Sequence, residues 1–230
     1  MDPLQLREKE VFETLKALEK LKADFVVIGG YATNAYALPR FSVDCDIVVK
    51  NMKGAGQIRA ALTKLGYATT AAGEAAKTYG GSFERYEKEL GNGFKVSFDV
   101  MINEILDRQS GAVFSVEWIF EHSKLRELRG KTILGKLRLR IINPDALFVM
   151  KAASARPSDI RDVFMLGPKV EDKEWMNTEI TKRVRPATAQ RILKTTDSRQ
   201  FRDGLQGVYG KVDEKVFGKH RKALFVLLQG

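Results

Sequence analysis

The pattern of apolar and polar positions predicts two strands with a helix between them near the start of the chain. Residues 25–28 form a short apolar run that ends in Gly29-Gly30, as expected for a buried strand that breaks into a tight turn where the backbone approaches another group. The alanine-rich residues 31–38 then predict a helix, which Pro39 ends. Residues 41–49 return to the alternating pattern of a strand.

Two aspartates lie on one face of that second strand. Asp44 and Asp46 are two positions apart, so their side chains project to the same side, whereas Cys45 projects into the expected core. The two carboxylates would repel each other without a cation, and Mg²⁺ is an oxygen-seeking ion that proteins hold with carboxylates and substrate phosphates. Aspartate is depleted in strands, so the pair favours a metal site over a solvent-facing strand that carries two acids by chance.

The remaining periodicity predicts an α/β (α+β) fold, with a small mixed sheet flanked by helices. Helices are predicted at residues 4–22, 54–65 and 116–122, and strands at residues 67–70, 94–102, 131–134 and 136–142. The amphipathic first helix is expected to pack on the sheet. The turn Gly91-Asn92-Gly93 predicts a hairpin partner before the strand at 94–102. Residues 69–82 have no clear period, and a loop is expected there.

A third aspartate lies on the polar side of a later strand. In residues 94–102, apolar positions alternate with Lys95, Ser97 and Asp99, which predicts a half-buried strand with a mixed polar face. On the pattern alone, the alternative is an aspartate near a strand end that faces solvent.

Two predicted helices after residue 143 carry further charged candidates. Asn143-Pro144-Asp145 predicts the cap of a helix that contains Lys151, and Ser158 or Asp159 is expected to start the next helix. Lys151 lies among apolar residues, so its ammonium group must extend to solvent or meet an anion such as a triphosphate. Asp159 and Asp162 are three positions apart and share a helical face. The alternative roles for this group are surface ion pairs and a charge at a helix N-terminus.

The chain changes character at Gly167-Pro168, where we place a boundary between domains at residues 1–168 and 169–230. The second region predicts basic helices interrupted at residues 204–210. Residues 181–230 contain twelve Lys or Arg and four Asp or Glu, which leaves a net charge of +2 for the first 180 residues of a chain whose net charge is +10. Lys and Arg displace counterions from phosphates, so RNA is a natural partner, and a solvated helical face is the alternative.

Composition indicates a globular protein and excludes several kinds of site. With 230 residues and 44% hydrophobic content, the chain can bury a sizeable core. No apolar run reaches membrane-spanning length and the first twenty residues lack a signal-peptide core, so we expect a cytoplasmic protein with no membrane partner. The single Cys45 excludes an intramolecular disulfide. His122 and His220 are too few and too far apart to indicate a zinc site.

The order of these motifs resembles the DNA polymerase beta-like nucleotidyltransferase superfamily. Ile28-Gly29-Gly30, followed after thirteen residues by Asp44-Cys45-Asp46-Ile47, is similar to the superfamily signature. Two more motifs resemble the minimal nucleotidyltransferases and the AbiEii-type toxins: Arg40-x-Ser42-x-Asp44-x-Asp46, and the later set Lys151, Arg156, Asp159 and Asp162. The resemblance covers residues 25–166.

The resemblance implies a role for each candidate residue. Asp44, Asp46 and Asp99 would be the catalytic, metal-binding carboxylates, with Asp99 coming from the later strand. The nucleotide-binding residues would be Gly29, Gly30, Arg40, Ser42, Lys151 and Asp162. The glycine turn could offer backbone amides to a triphosphate, and Arg40 could either touch phosphate or pair with an acid.

By the same resemblance, the activity is metal-dependent transfer of a nucleoside monophosphate from an NTP, such as ATP, to a hydroxyl acceptor. Two Mg²⁺ ions about 4 Å apart are the expected cofactors, and no nucleophilic side chain is needed. RNA, including a tRNA end, is the expected acceptor, and the protein could be the toxin of a toxin–antitoxin pair with an antitoxin protein as partner. The alternatives are a non-catalytic RNA- or protein-binding module on the same scaffold and a small-molecule nucleotidyltransferase.

Overall fold

The chain forms two compact units in a computed structural model, which describes residues 2–21, 23–72 and 82–229. The sheet unit contains Met1–Ala35, Phe41–Leu106 and Val113–Ile142, and the helical unit contains Tyr36–Arg40, Asp107–Ala112 and Asn143–Gly230. The units divide the chain near residue 143, whereas the sequence character changes at residue 168. The division lies earlier because the helices on either side of residue 168 pack on one another.

A mixed sheet forms the centre of the sheet unit and confirms the predicted fold class. Its strands are β1 (Phe25–Val27), β2 (Asp44–Val49), β3 (Ala68–Ala72), β4 (Ser82–Glu89), β5 (Lys95–Ile102), β8 (Ser123–Arg129) and β9 (Lys136–Ile142). Within the described residues these seven strands have the order β3-β4-β5-β2-β1-β9-β8. Strand β2 is parallel to β5 and β1 is parallel to β9, while the other neighbours are antiparallel. Two short strands, β6 (Glu104–Leu106) and β7 (Val113–Ser115), pair separately.

Helices cover the sheet where the sequence has apolar stripes. The helices of this unit are α1 (Pro3–Glu19), α2 (Gly29–Asn34), α3 (Met52–Lys64) and α4 (Val116–Glu121). Helix α1 contacts β5 and β9, which confirms that the first helix packs on the sheet. Its apolar residues Val11, Leu15 and Leu18 are fully buried. Burying each such side chain contributes about 1.5–3 kcal/mol, so this stripe anchors the helix.

Several predicted boundaries move once tertiary contacts are present. The helix expected at residues 31–38 is the shorter α2, and the strand expected from residue 41 begins at Asp44. Part of the loop expected at residues 69–82 belongs to β3 and β4, and the rest of it lies outside the described residues. Strand β5, predicted as half-buried, is buried along most of both faces, and helices α1 and α3 contact it.

The prediction of a strand at residues 131–134 is wrong. Its place beside β9 is taken by β8, and residues 131–134 belong to the connection between the two strands. The buried carboxylate of Glu8 accepts hydrogen bonds from the backbone amides of Lys131 (2.6 Å) and Thr132 (2.8 Å). These amides therefore cannot pair with a neighbouring strand, and Leu134 is 99% exposed.

The helical unit is built from six α-helices in its described residues. They are α5 (Pro144–Ser154), α6 (Pro157–Leu166), α7 (Lys173–Arg183), α8 (Pro186–Thr196), α9 (Arg199–Tyr209) and α10 (Glu214–Gln229), with one 3-10 turn at Gly167–Lys169. Asn143 caps α5 as predicted, since its side chain accepts a hydrogen bond from the Ala146 amide (2.8 Å). Helix α6 starts earlier than predicted, and Asp159 instead accepts from the Arg156 amide (3.3 Å).

The break expected at residues 204–210 is also misplaced. Helix α9 continues through Gly204 and Gly207 and ends at Tyr209, because burial of Leu205 in this unit offsets the low helix propensity of the glycines. None of the helices in the described part of the chain is long and apolar enough to cross a membrane.

Candidate active site

The pairing of β2 with β5 brings three carboxylates together. Asp46 lies directly opposite Asp99, and Asp44 lies two positions before Asp46 on the same side of β2. One carboxylate oxygen from each of the three aspartates lies within 4.8 Å of the others. The predicted set Asp44, Asp46 and Asp99 is therefore one acidic cluster on one face of the sheet.

The surroundings of the acidic cluster suit a bound cation. Asp44 and Asp46 are half-buried, whereas Asp99 is only 8% exposed. One carboxylate oxygen of Asp99, Oδ2, lies 3.6 Å from Nη1 of Arg85, and the other, Oδ1, is buried with no hydrogen-bond partner in the described part of the chain. A buried polar atom without a partner is costly, and here it leaves a lone pair for a hard cation. The three side chains thus fit a divalent metal.

The carboxyl group of Asp99 is a weaker acid than an exposed aspartate. Burial is the largest cause, the Arg85 guanidinium opposes it, and the carboxylates of Asp44 and Glu87 add to it; together they raise the pKa of the Asp99 carboxyl from 3.8 to about 6. A cation in the cluster would favour the ionised form and reverse this shift.

We expect Asp99→Asn to stabilise the metal-free protein at pH 8. Because the folded pKa lies above the unfolded one, the stability that Asp99 contributes is present below pH 3.8 and is lost as the pH rises through about 6. At pH 8 the ionised side chain therefore costs about 1–3 kcal/mol, which the neutral amide avoids. Urea unfolding in EDTA should show that this advantage shrinks by about 1 kcal/mol or more between pH 8 and pH 5. An advantage that is equal at both pH values would contradict the assignment, and Asp24→Asn, at an exposed site, is the control.

Gly29 lies against the acidic cluster and has no room for a side chain. Its φ of +65° lies in the left-handed region, and a Cβ built on it would lie 1.9 Å from Oδ2 of Asp46. The amide of the preceding residue, Ile28, donates to the Asp46 carbonyl oxygen (3.0 Å). The predicted close approach at the glycine turn is therefore an approach to Asp46. The contacts of Gly29 and Gly30 with a nucleotide stay a prediction.

The other predicted nucleotide residues divide between the two units. Ser42 is half-buried just before β2 in the sheet unit, and the remaining three lie in the helical unit. There Arg40 binds Asp162 through two hydrogen bonds, from Nε to Oδ1 (2.8 Å) and from Nη2 to Oδ2 (2.6 Å). Nζ of Lys151 lies 2.7 Å from Oδ1 of Asp159 and 3.1 Å from Oδ2 of Asp162.

These four residues form a neutral ion cluster inside the helical unit. Burial alone would raise the pKa of the Asp162 carboxyl, but Lys151 and Arg40 outweigh burial and hold it below its ordinary value. Removing one partner of such a buried pair typically costs about 3–5 kcal/mol, because a charge is left uncompensated. Of the two roles expected for Arg40, the structure shows the pairing with an acid. Contacts of Arg40, Ser42, Lys151 and Asp162 with a nucleotide stay a prediction.

Sequence reasoning missed Arg85, which lies opposite Asp99 in the β4–β5 pair. The predicted turn at Gly91-Asn92-Gly93 could have identified this pair. Asn92 is the centre of the hairpin, and Arg85 and Asp99 are each seven positions from it. Counting outward from the turn would have paired the two side chains.

Comparisons with known proteins identify the fold but no close relative. No protein-family model matches the sequence, and no curated protein matches it significantly. The nucleotidyltransferase toxin MenT4 from Mycobacterium tuberculosis is similar in structure, with a TM-score of 0.60 and 15% sequence identity over 99% of this chain and 84% of that chain. ANT(2'')-Ia, solved in complex with adenylyl-2''-tobramycin, gives a TM-score of 0.50 and 14% identity over 80% of this chain and 97% of that chain. The predicted resemblance is confirmed at the level of structure: the chain has the nucleotidyltransferase fold, with an acidic cluster of Asp44, Asp46 and Asp99 on its sheet.

Proposed function

We propose that the protein is a metal-dependent nucleotidyltransferase that moves a nucleoside monophosphate from an NTP to a hydroxyl acceptor. The observation that carries this proposal is the acidic cluster, in which Asp99 Oδ1 is buried without a hydrogen-bond partner in the described residues. Three clustered carboxylates destabilise a fold unless a cation compensates their charge. In a protein with the nucleotidyltransferase fold, a metal ion held by such a cluster would serve nucleotidyl transfer.

The residues of the cluster have distinct tasks in this proposal. Asp44, Asp46 and Asp99 would hold Mg²⁺, which when bound activates the attacking hydroxyl and neutralises charge on the triphosphate. Gly29 has no side chain and so leaves the space that the Asp46 carboxylate occupies. Arg85 on β4 forms an ion pair with Asp99. The reaction mainly needs positioning and charge neutralisation, so the lack of a Cys–His pair near the cluster is no obstacle.

RNA is the acceptor class that the charge distribution favours. Twelve Lys or Arg against four acids in residues 181–230 suit a polyanion, and a tRNA end would be one such acceptor. MenT4 is a nucleotidyltransferase toxin, which supports a toxin role with an antitoxin partner as part of the same proposal. Such a reaction would take place in the cytoplasm, where NTPs and RNA are found.

A small-molecule acceptor is the second candidate, supported by the structural similarity to ANT(2'')-Ia with its adenylyl-tobramycin ligand. A basic protein repels cationic acceptors, so this candidate ranks below RNA. A non-catalytic module on the same scaffold would bind RNA or protein without turnover, and the acidic cluster would then have no task.

The test is incubation of the purified protein with each α-labelled NTP, Mg²⁺ and total RNA. We expect label on a discrete RNA with at least one NTP, and no label when EDTA replaces Mg²⁺. Label that appears only on added small hydroxyl compounds would move the acceptor to the second candidate. Absence of transfer from all four NTPs to either kind of acceptor would contradict the enzymatic proposal, and RNA binding alone would then indicate the non-catalytic module.

A further inference from the structure

The β8–β9 hairpin concentrates positive charge within the sheet unit. Residues 123–142 contain seven Lys or Arg and one acid, Glu127. The seven are Lys124, Arg126, Arg129, Lys131, Lys136, Arg138 and Arg140. The first 180 residues have a net charge of only +2, so the remainder of that segment is net acidic. The hairpin is therefore strongly basic, although the net charge of residues 1–180 is small.

The strand register places four of these cations on one side of the hairpin. Arg129 pairs with Lys136, Glu127 with Arg138, and Leu125 with Arg140. Directly paired residues project to the same side of a sheet, and all six of these side chains are exposed. We call this set the hairpin face. The intervening residues Leu128 and Leu139 are buried on the other side.

The hairpin face lies on the same side of the sheet as the acidic cluster. Val27 in β1 pairs with Ile47 in β2 and with Ile141 in β9, so these three side chains project to one side. Their neighbours Asp46 and Arg140 each lie one position away and project to the other side. Carboxylates on β2 and β5 and guanidinium groups on β9 thus project to the same side of one sheet.

Two of the cations on the hairpin face have no carboxylate partner in the described residues. Glu127 is shared by Lys136 (3.0 Å) and Arg129 (3.7 Å). Arg140 donates to the Ser123 carbonyl oxygen (3.3 Å) and hydroxyl (3.5 Å), and within the described residues neither Arg138 nor Arg140 forms an ion pair. Alternate residues of a strand are about 6.6 Å apart, a spacing comparable with that of successive phosphates along an extended nucleic-acid strand.

We propose that the hairpin face binds the sugar-phosphate backbone of the RNA acceptor. This inference rests on the proposed function and specifies where its acceptor is held. Arginine donates through a planar fork that matches phosphate oxygens, and exposed cations release counterions when they bind a polyanion. Of the six positions on the face, only Leu125 is apolar, which favours a nucleic acid over insertion into a lipid surface.

The test compares two variants that each lose three positive charges from the sheet unit. The hairpin variant carries Lys136→Gln, Arg138→Gln and Arg140→Gln, and the control carries Lys9→Gln, Lys16→Gln and Lys20→Gln at exposed positions of α1 and just after it. Binding of a fluorescein-labelled single-stranded RNA is measured by anisotropy in EDTA without NTP, over a series of salt concentrations. Vesicles containing phosphatidylserine form a second arm, and urea unfolding checks that both variants fold.

We expect the hairpin variant to bind the RNA roughly 10- to 100-fold more weakly than wild type near 0.1 M salt, with the slope of log K against log salt reduced by about 2. The control should stay within about 2-fold of wild type. Equal RNA binding by the hairpin variant and wild type would overturn the inference, as would a loss confined to vesicle binding. Because this assay contains no NTP or metal, a hairpin-dependent loss of RNA binding supports the inference even if the labelling assay shows no transfer.

Discussion

Asp44→Asn is expected to lower the rate of nucleotidyl transfer by on the order of a thousand-fold. The substitution keeps the shape of the side chain but removes one of the three negative charges that would hold the metal. Metal-assisted charge stabilisation contributes several kcal/mol to such a transition state, and about 4 kcal/mol corresponds to this factor. The measurement is the initial rate of label transfer at saturating NTP, together with calorimetric titration of Mg²⁺.

The matched control for this substitution is Asp24→Asn, at an exposed position of the same unit. It changes the net charge equally and should keep the wild-type rate. We expect Asp44→Asn to unfold at the same urea concentration as wild type or a higher one in EDTA, because it relieves repulsion among the carboxylates. A rate within 10-fold of wild type would remove Asp44 from the reaction.

Gly29→Ala is expected to lower the same rate by on the order of 100-fold while the protein still folds. The new Cβ would lie 1.9 Å from Oδ2 and 2.7 Å from Cγ of Asp46, so the Asp46 side chain must leave its position. A displacement of about 1 Å in a catalytic constellation can cost about 100-fold in rate. The positive φ of Gly29 adds a cost of about 1–2 kcal/mol to the free energy of folding. Initial rates and urea unfolding measure the two effects.

Gly56→Ala separates these effects from the general consequences of replacing a glycine. Gly56 lies inside α3, and a Cβ there would meet no atom within 4 Å. This substitution should raise the free energy of unfolding by up to about 1 kcal/mol and leave the rate unchanged. If Gly29→Ala kept the wild-type rate, the close packing of β1 and α2 on Asp46 would have no functional importance.

Short-range patterns predicted the part of the site that lies close together in sequence. Period-two alternation placed Asp44 and Asp46 on one face and Cys45 on the other, and the structure confirms both. The double glycine predicted a close approach of the backbone, and the atom approached belongs to Asp46. These features depend only on backbone geometry within a few residues, which the sequence displays directly.

Features that depend on contacts between distant parts of the chain could not be predicted from local sequence patterns. The first strand of the β8–β9 pair was misplaced because a glycine at residue 135 suggests a tight hairpin, whereas the actual connection is longer and is held by the distant Glu8. The bidentate pairing of Arg40 with Asp162 joins residues from distant parts of the chain, and a local pattern predicts the charges but not the partner. The basic hairpin face depends on the register of β8 with β9, which only the paired strands reveal.

The position of Cys45 has a practical consequence for spectroscopy. It is the only cysteine in the chain, it is fully buried, and burial raises the pKa of its thiol well above the ordinary value. Thiol reagents react with the exposed thiolate, so the native protein should remain unlabelled by maleimide dyes while it is folded. A single cysteine introduced at an exposed position could therefore carry a fluorophore without replacement of Cys45, and the strand residue between Asp44 and Asp46 would stay unchanged.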